Sequence, residues 1–493
     1  MKRVFYSFGI LLFCVSGSYG SNMKPTMLTN LLSSTGGTAV GVADVSAEFC
    51  RVGIDSRTVQ AGDVFWAVSG EQNEGHDFVG DAVLRGATAC VVEAGRVQNV
   101  FGPLVEVTNT LEALWKYAAW HRTQQEAMVI GVTGSVGKTT TREMIHAVLS
   151  ARYDGVQSPK NYNNHYGVPL SVLDIDSSHD FAVLELAASA VGEIRDLASV
   201  AAPEIGVVTA IGESHLAGFG SIENIIQAKG ELIESLPASG FAVLAGDDER
   251  FRSIARRANC PVLFVGEHDR NDVQATDVRA TRDHLGFNVD GQRFEVAATG
   301  RHNLPAALCA VAIAREIGLS AEVIGEGLKQ FTAVEGRCRI HEIGSCTVID
   351  DSYNANPRSM SAACDVLRNW AGPGKRVFVA GDMLELGDRS IPCHREFGVA
   401  AAQAGIDCLL VYGEFAEYVI QGALAAGMDQ HCLAEFRDFE ALVAVLECWL
   451  EPGDVVLVKG SRGMKMERVI ERLRVGLKSE NEQNARRQLR ACA

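Results

Sequence analysis

The stretch that decides the fold is residues 131–141, which read Gly-Val-Thr-Gly-Ser-Val-Gly-Lys-Thr-Thr-Thr. An apolar run at 127–130 precedes it and predicts a strand, and a helical stretch follows from Glu143 to Leu149. Glycines let backbone N–H groups turn toward an anion, and the start of a helix adds the positive end of its dipole. Strand, glycine loop, Lys-Thr and helix together predict a site for the phosphates of a nucleotide.

We expect this site to bind ATP. The residues assigned to phosphate binding are Gly134, Ser135, Gly137, Lys138, Thr139 and Thr140. Lys138 adds a full positive charge, and the two threonine hydroxyls can bind a magnesium ion that bridges the phosphates. The strict phosphate-loop pattern fails at one residue, because Val132 occupies the place of its first glycine. A glycine-rich turn with an exposed lysine is the alternative, and the flanking strand and helix argue against it.

Length and composition limit the class of protein. A chain of 493 residues is too long for one ordinary core, and three domains are expected. The net charge of −16 argues against nucleic acid or an anionic membrane surface as the main partner. The 13 cysteines are scattered, with no C-x-x-C pair and no zinc-like spacing. This usage indicates reduced thiols in a cytoplasmic enzyme.

The first 22 residues do not fit that picture. Lys2 and Arg3 precede an apolar run at 4–15 and then small residues, which is typical of a secretory signal peptide. An ATP-dependent enzyme would find no ATP outside the cytoplasm. We therefore expect a mis-assigned start, with Met23 or Met27 as the first residue of the natural protein. No other segment approaches the roughly 20 apolar residues of a membrane span, so no membrane insertion is expected.

Strand-like and helical runs alternate through most of the chain, which predicts an α/β fold with parallel sheets covered by helices. The predicted strands are 129–133, 181–186, 205–210, 241–245, 347–350, 376–380, 408–412 and 454–458. Residues 267–299 are predicted to form short antiparallel strands instead. The tail from Lys478 is polar and charged and is expected to fray.

Three further segments carry a family resemblance. Residues 161–170 form a polar loop that ends in Gly-Val-Pro, residues 300–303 (Gly-Arg-His-Asn) open an alanine-rich helix, and residues 350–360 follow a buried strand. The last segment reads Asp-Asp-Ser-Tyr-Asn-Ala-Asn-Pro-Arg-Ser-Met. Together with the phosphate loop, these segments resemble the Mur ligases of peptidoglycan synthesis. The resemblance runs in order over roughly residues 55–470.

The resemblance implies a fold of three domains. A small N-terminal α/β domain (23–112) would hold a UDP-sugar, and a central P-loop ATPase-like domain (113–333) would hold ATP. A C-terminal Rossmann-like domain (334–477) would bring the incoming amino compound, and 478–493 would be a flexible tail. The 350–360 string most resembles family members that add D-alanyl-D-alanine to UDP-N-acetylmuramoyl-tripeptide. Their reaction passes through an acyl phosphate and serves cell-wall synthesis, and hence cell shape and division.

The resemblance also assigns roles to residues. The implied magnesium ligands are Thr139, Glu185 and His215, and the implied catalytic residues are Lys138, Lys229, His215 and Asp351. His302 and Asn303 would contact adenine, and Arg337 and Asp351 would reach the nucleotide when the domains close. The implied substrate-binding residues are Ser56, Arg57, Asn163, Asn164, Asn354, Asn356, Lys459 and Arg462. Lys229 matches a lysine that carries a carbamate in related ligases, which requires a lowered pKa.

The residues alone leave other interpretations open. Without the resemblance, Lys229 is an ordinary helix lysine, and Glu185 and His215 are ordinary polar residues after strands. The family usually has Asn at position 136, Gly-Ala-Asn-His at 187–190 and Asn at 306, whereas this chain has Val136, Ala-Ala-Ser-Ala and Ala306.

Two other functions therefore stay possible. The first is another ATP-dependent amide ligase, of the folylpolyglutamate or another Mur type. The second is a nucleotide-binding homologue that has lost catalysis. The third residue of the tripeptide, diaminopimelate or lysine, stays open, and a monomer is expected.

Overall fold

A computed structural model describes residues 20–70, 73–98, 102–214 and 216–476. The N-terminal part forms a six-stranded sheet in the order β1-β3-β4-β5-β6-β2. Its strands are β1 (Gly20–Met27), β2 (Thr38–Val40), β3 (Glu48–Gly53), β4 (Val64–Trp66), β5 (Ala89–Glu93) and β6 (Leu104–Val107). Its helices are α1 (Leu28–Thr35), α2 (Val79–Leu84) and α3 (Thr110–Arg122). The inner strands are parallel, and the two edge strands β1 and β2 are antiparallel to their neighbours.

The first strand of this sheet overlaps in sequence with residues 1–22, the segment expected to be leader-like. Residues 1–19 lie outside the described residues, but β1 already begins at Gly20 and pairs there with Gly53. The buried side chain of Met23 lies beside Tyr117 of α3, with its sulfur 3.8 Å from the tyrosine hydroxyl. The sheet therefore includes the last three residues of that segment.

The central part is a seven-stranded parallel sheet in the order β13-β12-β11-β10-β7-β9-β8. The strands are β7 (Met128–Thr133), β8 (Gly155–Gln157), β9 (Phe181–Glu185), β10 (Ile205–Val208), β11 (Phe241–Ala245), β12 (Val262–Gly266) and β13 (Val273–Gln274). The helices are α4 (Lys138–Leu149), α5 (Gly167–Leu173), α6 (Glu193–Ala201), α7 (Leu216–Phe219), α8 (Ile222–Glu234) and α9 (Arg250–Ala255). The inner strands are nearly continuous apolar runs, because helices cover both faces of the sheet.

A small antiparallel sheet follows, as predicted for residues 267–299. It consists of β14 (Thr276–Ala280), β15 (Leu285–Val289) and β16 (Gln292–Val296). Two helices, α10 (Leu304–Glu316) and α11 (Ala321–Gln330), complete the central part. The alanine-rich α10 packs closely on α4, because small side chains let the two helix backbones approach each other.

The C-terminal part is a six-stranded sheet in the order β17-β18-β22-β19-β20-β21, and only the edge strand β17 is antiparallel. The strands are β17 (Arg339–Ile343), β18 (Cys346–Asp351), β19 (Arg376–Gly381), β20 (Cys408–Tyr412), β21 (Leu433–Phe436) and β22 (Val455–Lys459). The helices are α12 (Pro357–Arg368), α13 (Ser390–Gln403), α14 (Ala416–Ala425) and α15 (Phe439–Trp449). Helices lie between successive strands, as expected for a Rossmann-like sheet.

The predicted α/β fold with parallel sheets is confirmed. Several predicted element ends differ from the observed ones, and three of these differences involve residues of the site. Helix α4 begins at Lys138, because Gly137 takes a left-handed φ of 83° and lets the chain turn directly into the helix. Strand β10 ends at Val208, two residues before the predicted end. Strand β18 includes Asp351, which was expected to follow the strand.

The expected boundary between residues 112 and 113 falls inside α3, which packs against α1 on one side and α5 and α6 on the other. This helix is therefore shared by the N-terminal and central parts. Every cysteine in the described part of the chain is a free thiol. Within the same residues, no helix has both the length and the apolar character needed to cross a membrane.

Candidate active site

The phosphate loop lies at the carboxyl end of the central sheet, between β7 and α4. Gly134 has φ 149°, and a Cβ added there would lie 2.1 Å from the Thr209 hydroxyl oxygen, so only glycine fits. That hydroxyl donates a hydrogen bond of 2.5 Å to the carbonyl of Val136. The Ser135 hydroxyl donates to the carbonyl of Gly212 at 2.9 Å. The two residues after β10 are Thr209 and Ala210, and the Ala210 carbonyl accepts from Ser135 N–H at 2.8 Å. Both residues thus bind the phosphate loop, which explains why β10 ends early.

Lys138 lies half-buried at the first position of α4, where its ammonium donates to the Gly134 carbonyl at 2.9 Å. Desolvation by the surrounding protein lowers the pKa of Lys138, Glu185 opposes this shift, and the positive charge of Arg337 adds to it. Among the described residues no carboxylate pairs with this ammonium. A cation held this way, beside backbone N–H groups at a helix start, suits a phosphate.

An oxygen-rich corner lies beside the lysine at the end of β9. The hydroxyl of Thr139 donates to one carboxylate oxygen of Glu185 at 2.9 Å. The amide of Asn163 donates to the other oxygen at 2.8 Å, and Arg142 lies 3.5 Å from the first. A hydroxyl and a buried carboxylate fit magnesium, which takes one or two protein oxygens and completes its shell with phosphate and water. The third implied ligand, His215, lies outside the described residues.

Lys229 is buried within α8, with only 2% of its surface exposed. Its ammonium lies 5.2 Å from the centre of the Phe219 ring and makes no hydrogen bond or ion pair to any described residue. Burial, with a further contribution from the charge of Lys138, lowers the pKa of Lys229 to about 7. The interpretation of Lys229 as an exposed helix lysine is therefore wrong. The neutral amine, which is present at physiological pH, is the form that can react with carbon dioxide to give a carbamate.

The C-terminal part places two arginines and a tyrosine opposite the phosphate loop. The Arg337 guanidinium carbon lies 4.2 Å from the centre of the Tyr353 ring, and that of Arg462 lies 5.5 Å from it. Arg337 is close enough to Lys138 for the two charges to interact. Residues that were assigned to different domains therefore meet at one cleft.

A second cluster lies at the same junction, around the residues expected to contact adenine. The Cys338 sulfur lies 3.8 Å from Nε2 of His302, whose ring is open to the cleft. Desolvation lowers the pKa of His302, and the charge of Asp351 partly offsets this shift. The amide of Asn303 donates to the Thr299 carbonyl at 2.7 Å, so its nitrogen serves its own helix start.

Asp351 and Lys459 form a buried ion pair at the ends of neighbouring strands β18 and β22. The lysine ammonium donates to the Asp351 carboxylate at 2.6 Å and to the Asn354 carbonyl at 2.9 Å. The lysine is 2% exposed. Its charge is therefore compensated within the protein, unlike that of Lys138.

Three expected substrate-binding residues have local structural partners. The side-chain oxygen of Asn164 accepts from the N–H groups of Tyr166 and Gly167, and that of Asn356 caps α12 through Ser359 N–H at 2.9 Å. The Asn354 side-chain oxygen accepts from Arg462 N–H at 3.3 Å. These bonds explain the three asparagines without a ligand.

The expected UDP-sugar residues lie at the carboxyl end of β3. Arg57 is an exposed side chain that binds Asp55 through two nitrogens, with a shorter distance of 2.7 Å. Ser56 is buried in the adjoining short turn of helix. Ser56 and Arg57 are distant in sequence from the phosphate loop. The N-terminal and central parts are joined here by Tyr166, whose hydroxyl donates to the Ser69 carbonyl at 3.0 Å.

The departures from the family pattern occupy three different settings. Val136 contributes its carbonyl to the Thr209 bond, which any residue could do. Ala187 N–H donates to the Asn163 carbonyl, and Ser189 N–H donates to Glu193. Ala306 is buried in α10. The backbone of the site is thus intact at positions 136 and 187–190.

Sequence reasoning assigned no role to Thr209, Arg142 or Tyr353. Thr209 and Arg142 bind Val136 and Glu185, which are 73 and 43 residues away in sequence and which only the sheet order brings near. Tyr353 lies within the 350–360 string, where an aromatic residue among polar ones was a signal that could have been used.

The central sheet carries a phosphate loop and the oxygen-rich pair of Thr139 and Glu185, and the C-terminal part places cations opposite them. This combination defines a multidomain enzyme that depends on a nucleotide. Three family models match the chain: the Mur ligase family catalytic domain at 48–120, the Mur ligase middle domain at 132–314, and the Mur ligase glutamate ligase domain at 336–462. The chain belongs to the Mur ligase family, whose members use ATP.

Curated relatives and solved structures agree with this assignment. UDP-N-acetylmuramoyl-tripeptide–D-alanyl-D-alanine ligase from Bacillus subtilis is 34% identical and covers 86% of this chain and 92% of its own. The same ligase from Escherichia coli is 35% identical and covers 87% and 94%. MurF from Acinetobacter baumannii matches with a TM-score of 0.85 at 31% identity, over 92% of this chain and 99% of its own. MurF from Thermotoga maritima in complex with ADP matches at 0.77 and 30%, over 87% and 98%.

Proposed function

We propose that this protein joins D-alanyl-D-alanine to the terminal carboxylate of UDP-N-acetylmuramoyl-tripeptide and converts ATP to ADP and phosphate. The observation that carries the proposal is the meeting of Lys138 and Arg337 from two sheets beside the Thr139–Glu185 oxygen pair. Two close cations that lack a carboxylate partner among the described residues favour an anionic ligand. The curated names of the relatives supply the two other substrates.

The chemistry requires activation before bond formation. A carboxylate oxygen attacks the γ-phosphorus of ATP, the bond to the bridging oxygen breaks, and ADP leaves with that electron pair. The dipeptide amine then attacks the carbonyl carbon of the acyl phosphate, a C–N bond forms, and phosphate leaves as the amine loses a proton. Water would destroy the acyl phosphate, so the reaction needs a closed cleft. The meeting of the central and C-terminal parts at Tyr353 and Arg337 supplies such a cleft.

The residues of the central sheet have distinct tasks in this scheme. Lys138 and the loop N–H groups hold the phosphates and stabilise negative charge on the transferring group. Thr139 and Glu185, with His215 as a third ligand, would hold magnesium, which neutralises phosphate charge when it is bound. Asn163 orients the Glu185 carboxylate through its 2.8 Å bond, so we assign it to the metal site rather than to direct substrate contact.

Lys229 supplies the remaining chemistry of the central sheet. Its lowered pKa leaves much of the amine neutral near pH 7, and a neutral amine adds to carbon dioxide to form a carbamate with release of the amine proton. The carbamate would place a carboxylate where the amine has no hydrogen-bond or ion-pair partner among the described residues. This step changes Lys229 from a neutral amine into an anion beside the phosphate site.

The C-terminal sheet would bind the dipeptide. Arg462 is the proposed partner of its carboxylate, since Lys459 is buried in its pair with Asp351 at 2.6 Å, whereas the pair of Arg462 with Glu467 at 3.0 Å is partly exposed and can exchange partners. Lys459, Asp351 and Asn354 would instead fix the loop that carries Arg462. Ser56 and Arg57 would contact the uridine diphosphate from the N-terminal sheet. We place the reaction in the cytoplasm, where ATP is available, and propose a monomer.

The test is a phosphate-release assay with purified protein, ATP, magnesium, UDP-N-acetylmuramoyl-tripeptide and D-alanyl-D-alanine. Phosphate release that requires all components supports the proposal, provided that mass spectrometry finds a product heavier than the UDP-N-acetylmuramoyl-tripeptide by the mass of D-alanyl-D-alanine less one water. The Lys138→Ala protein is the matched negative control. Release with glutamate or another amino acid in place of the dipeptide would favour a different amide ligase. ADP binding without any turnover would favour a homologue that has lost catalysis.

A further inference from the structure

Three chain segments of the C-terminal part meet at Tyr353. The linker before β17 contributes Gly336, whose carbonyl accepts from Tyr353 N–H at 3.1 Å. The loop after β22 contributes Arg462, whose N–H donates to the side chain of Asn354 at 3.3 Å. A Cβ added at Gly336 would lie 2.9 Å from Cβ of Tyr353, and its φ is 73°, so a glycine is needed for this approach. The tyrosine is thus fixed by backbone contacts on both sides.

The ring of Tyr353 is shared by two cations. The guanidinium of Arg337 lies 4.2 Å from the ring centre and that of Arg462 lies 5.5 Å from it, both within the range of a cation–π contact. Arg462 also donates to Glu467 at 3.0 Å. The Arg337 guanidinium has no hydrogen-bond or carboxylate partner among the residues that the structure describes. Its orientation therefore depends on the ring.

We propose that Tyr353 is a positioning residue that orients Arg337 and Arg462 for two different anions, the phosphates of the nucleotide and the carboxylate of the dipeptide. This inference rests on the proposed function. The physical reason is that a carboxylate and an aromatic ring affect the charge of a neighbouring guanidinium differently. A carboxylate orients a guanidinium but also neutralises it, as Glu467 does in part for Arg462, whereas an aromatic face orients it and leaves its charge available to a ligand. The ring is therefore the main orienting contact for Arg337 and a second one for Arg462.

The hydroxyl of Tyr353 is not needed for this role. Burial raises the pKa of the hydroxyl, and the nearby Arg337 partly offsets the shift, so the group stays neutral at physiological pH. It donates no hydrogen bond to any described residue. The inference therefore predicts that the ring carries the effect and that phenylalanine can replace tyrosine.

The test replaces Tyr353 by phenylalanine and by mono-, di- and trifluorophenylalanine in the full chain. Fluorine withdraws density from the ring face at nearly constant shape, so it weakens a cation–π contact and leaves packing almost unchanged. We expect Tyr353→Phe to keep kcat/KM within about threefold, and the fluorinated series to lose activity stepwise, to about tenfold or more, given about 0.5–2 kcal/mol per contact. Melting temperatures should stay level through the series. A flat activity series, or a Phe variant as impaired as the trifluorinated one, overturns the inference.

A double-mutant cycle identifies the group through which the ring acts. Tyr353→Leu should raise KM for the dipeptide in the wild-type background and should not raise it further when Arg462→Ala is already present, whereas the effect through Arg337 on KM for ATP should appear in both backgrounds. Fully additive increases in KM for the dipeptide overturn the inference. The matched control is Tyr418→Leu, because Arg395 of α13 lies 5.9 Å from that half-buried ring of α14 and neither residue has been assigned to the site. That variant should have wild-type constants.

The proposed function and the role of Tyr353 are tested by different outcomes. If wild-type protein releases no phosphate with the full substrate set, the proposed function fails. If wild-type protein turns over but the fluorinated series is flat, only the role of Tyr353 fails.

Discussion

Lys229→Met should make the protein more stable and inactive at the same time. Methionine has nearly the length and volume of lysine but carries no charge, so it fills the same space in α8. The wild-type ammonium is buried, 2% exposed, without a hydrogen-bond partner among the described residues. Folding therefore has to remove this group from water without compensation.

The size of the gain follows from the pKa. Its lowering from 10.5 to about 7 corresponds to about 5 kcal/mol at 1.36 kcal/mol per pKa unit, which is an upper limit because the protein can relax. The folded-state pKa lies below the unfolded one, so between pH 7 and 10.5 the unfolded chain binds one more proton. The wild-type free energy of unfolding should therefore rise with pH in this window. The advantage of the methionine variant should be largest below pH 7 and shrink to about 1.4 kcal/mol at pH 9.5.

The assay is urea denaturation of both proteins at pH 6.5, 8.0 and 9.5 in carbonate-depleted buffer, followed by circular dichroism. Phosphate release is measured separately in buffer that contains bicarbonate, and it should be lost in the variant, since no carbamate can form. Lys329→Met is the matched control, because this lysine is exposed on α11 and its replacement should change neither quantity. A Lys229→Met protein that is less stable than wild type, or more stable by an amount independent of pH, would refute the reasoning.

The remaining predictions concern the phosphate loop and the buried ion pair. Lys138→Ala should abolish phosphate release with an unchanged circular dichroism spectrum, and normal turnover would contradict its role. Gly134→Ala should abolish ADP binding in calorimetry, because its Cβ would lie 2.1 Å from the Thr209 hydroxyl. Asp351→Ala should lower the free energy of unfolding by about 3–5 kcal/mol, since it leaves the buried Lys459 ammonium with the Asn354 carbonyl but without a carboxylate partner among the described residues. The double variant Asp351→Asn with Lys459→Met should restore the free energy of unfolding in urea but not kcat. Full recovery of kcat would mean that the pair has only a structural role.

The buried strands were the part of the fold most open to prediction. Residues 241–245 and 408–412 form strands with the predicted bounds, because both faces of these strands are covered and the whole run must be apolar. Strand ends were predicted less well wherever the chain leaves the sheet for a functional contact. Thr209 and Ala210 continue the apolar run after β10 but bond to the phosphate loop, which no local pattern reveals.

The site could be predicted where one segment carries the chemistry, and less well where several segments meet. The loop 134–140 contains its own glycines, lysine and threonines, so its role is visible in the sequence alone. Asn164 and Asn356 were assigned to substrate, yet Asn356 caps α12 and Asn164 accepts from two backbone N–H groups in the turn before α5. An asparagine before a helix looks the same in the sequence in either role. The lowered pKa of Lys229 depends on the packing of α8 and on Lys138, which the sequence does not reveal.

One backbone oxygen is shared by arginines from the central and C-terminal parts. The carbonyl of Ile211 accepts from Arg250 of the central part and from Arg358 of α12, both at 3.0 Å. Because the acceptor is a peptide group, these two bonds do not depend on the side chain at position 211, which is buried in the hydrophobic core. An alanine at this position should therefore lower stability through lost packing and leave the acceptor in place. Substitutions at 250 and 358 remove the donors themselves, so a screen for variants that hold the enzyme open should recover changes at those two positions.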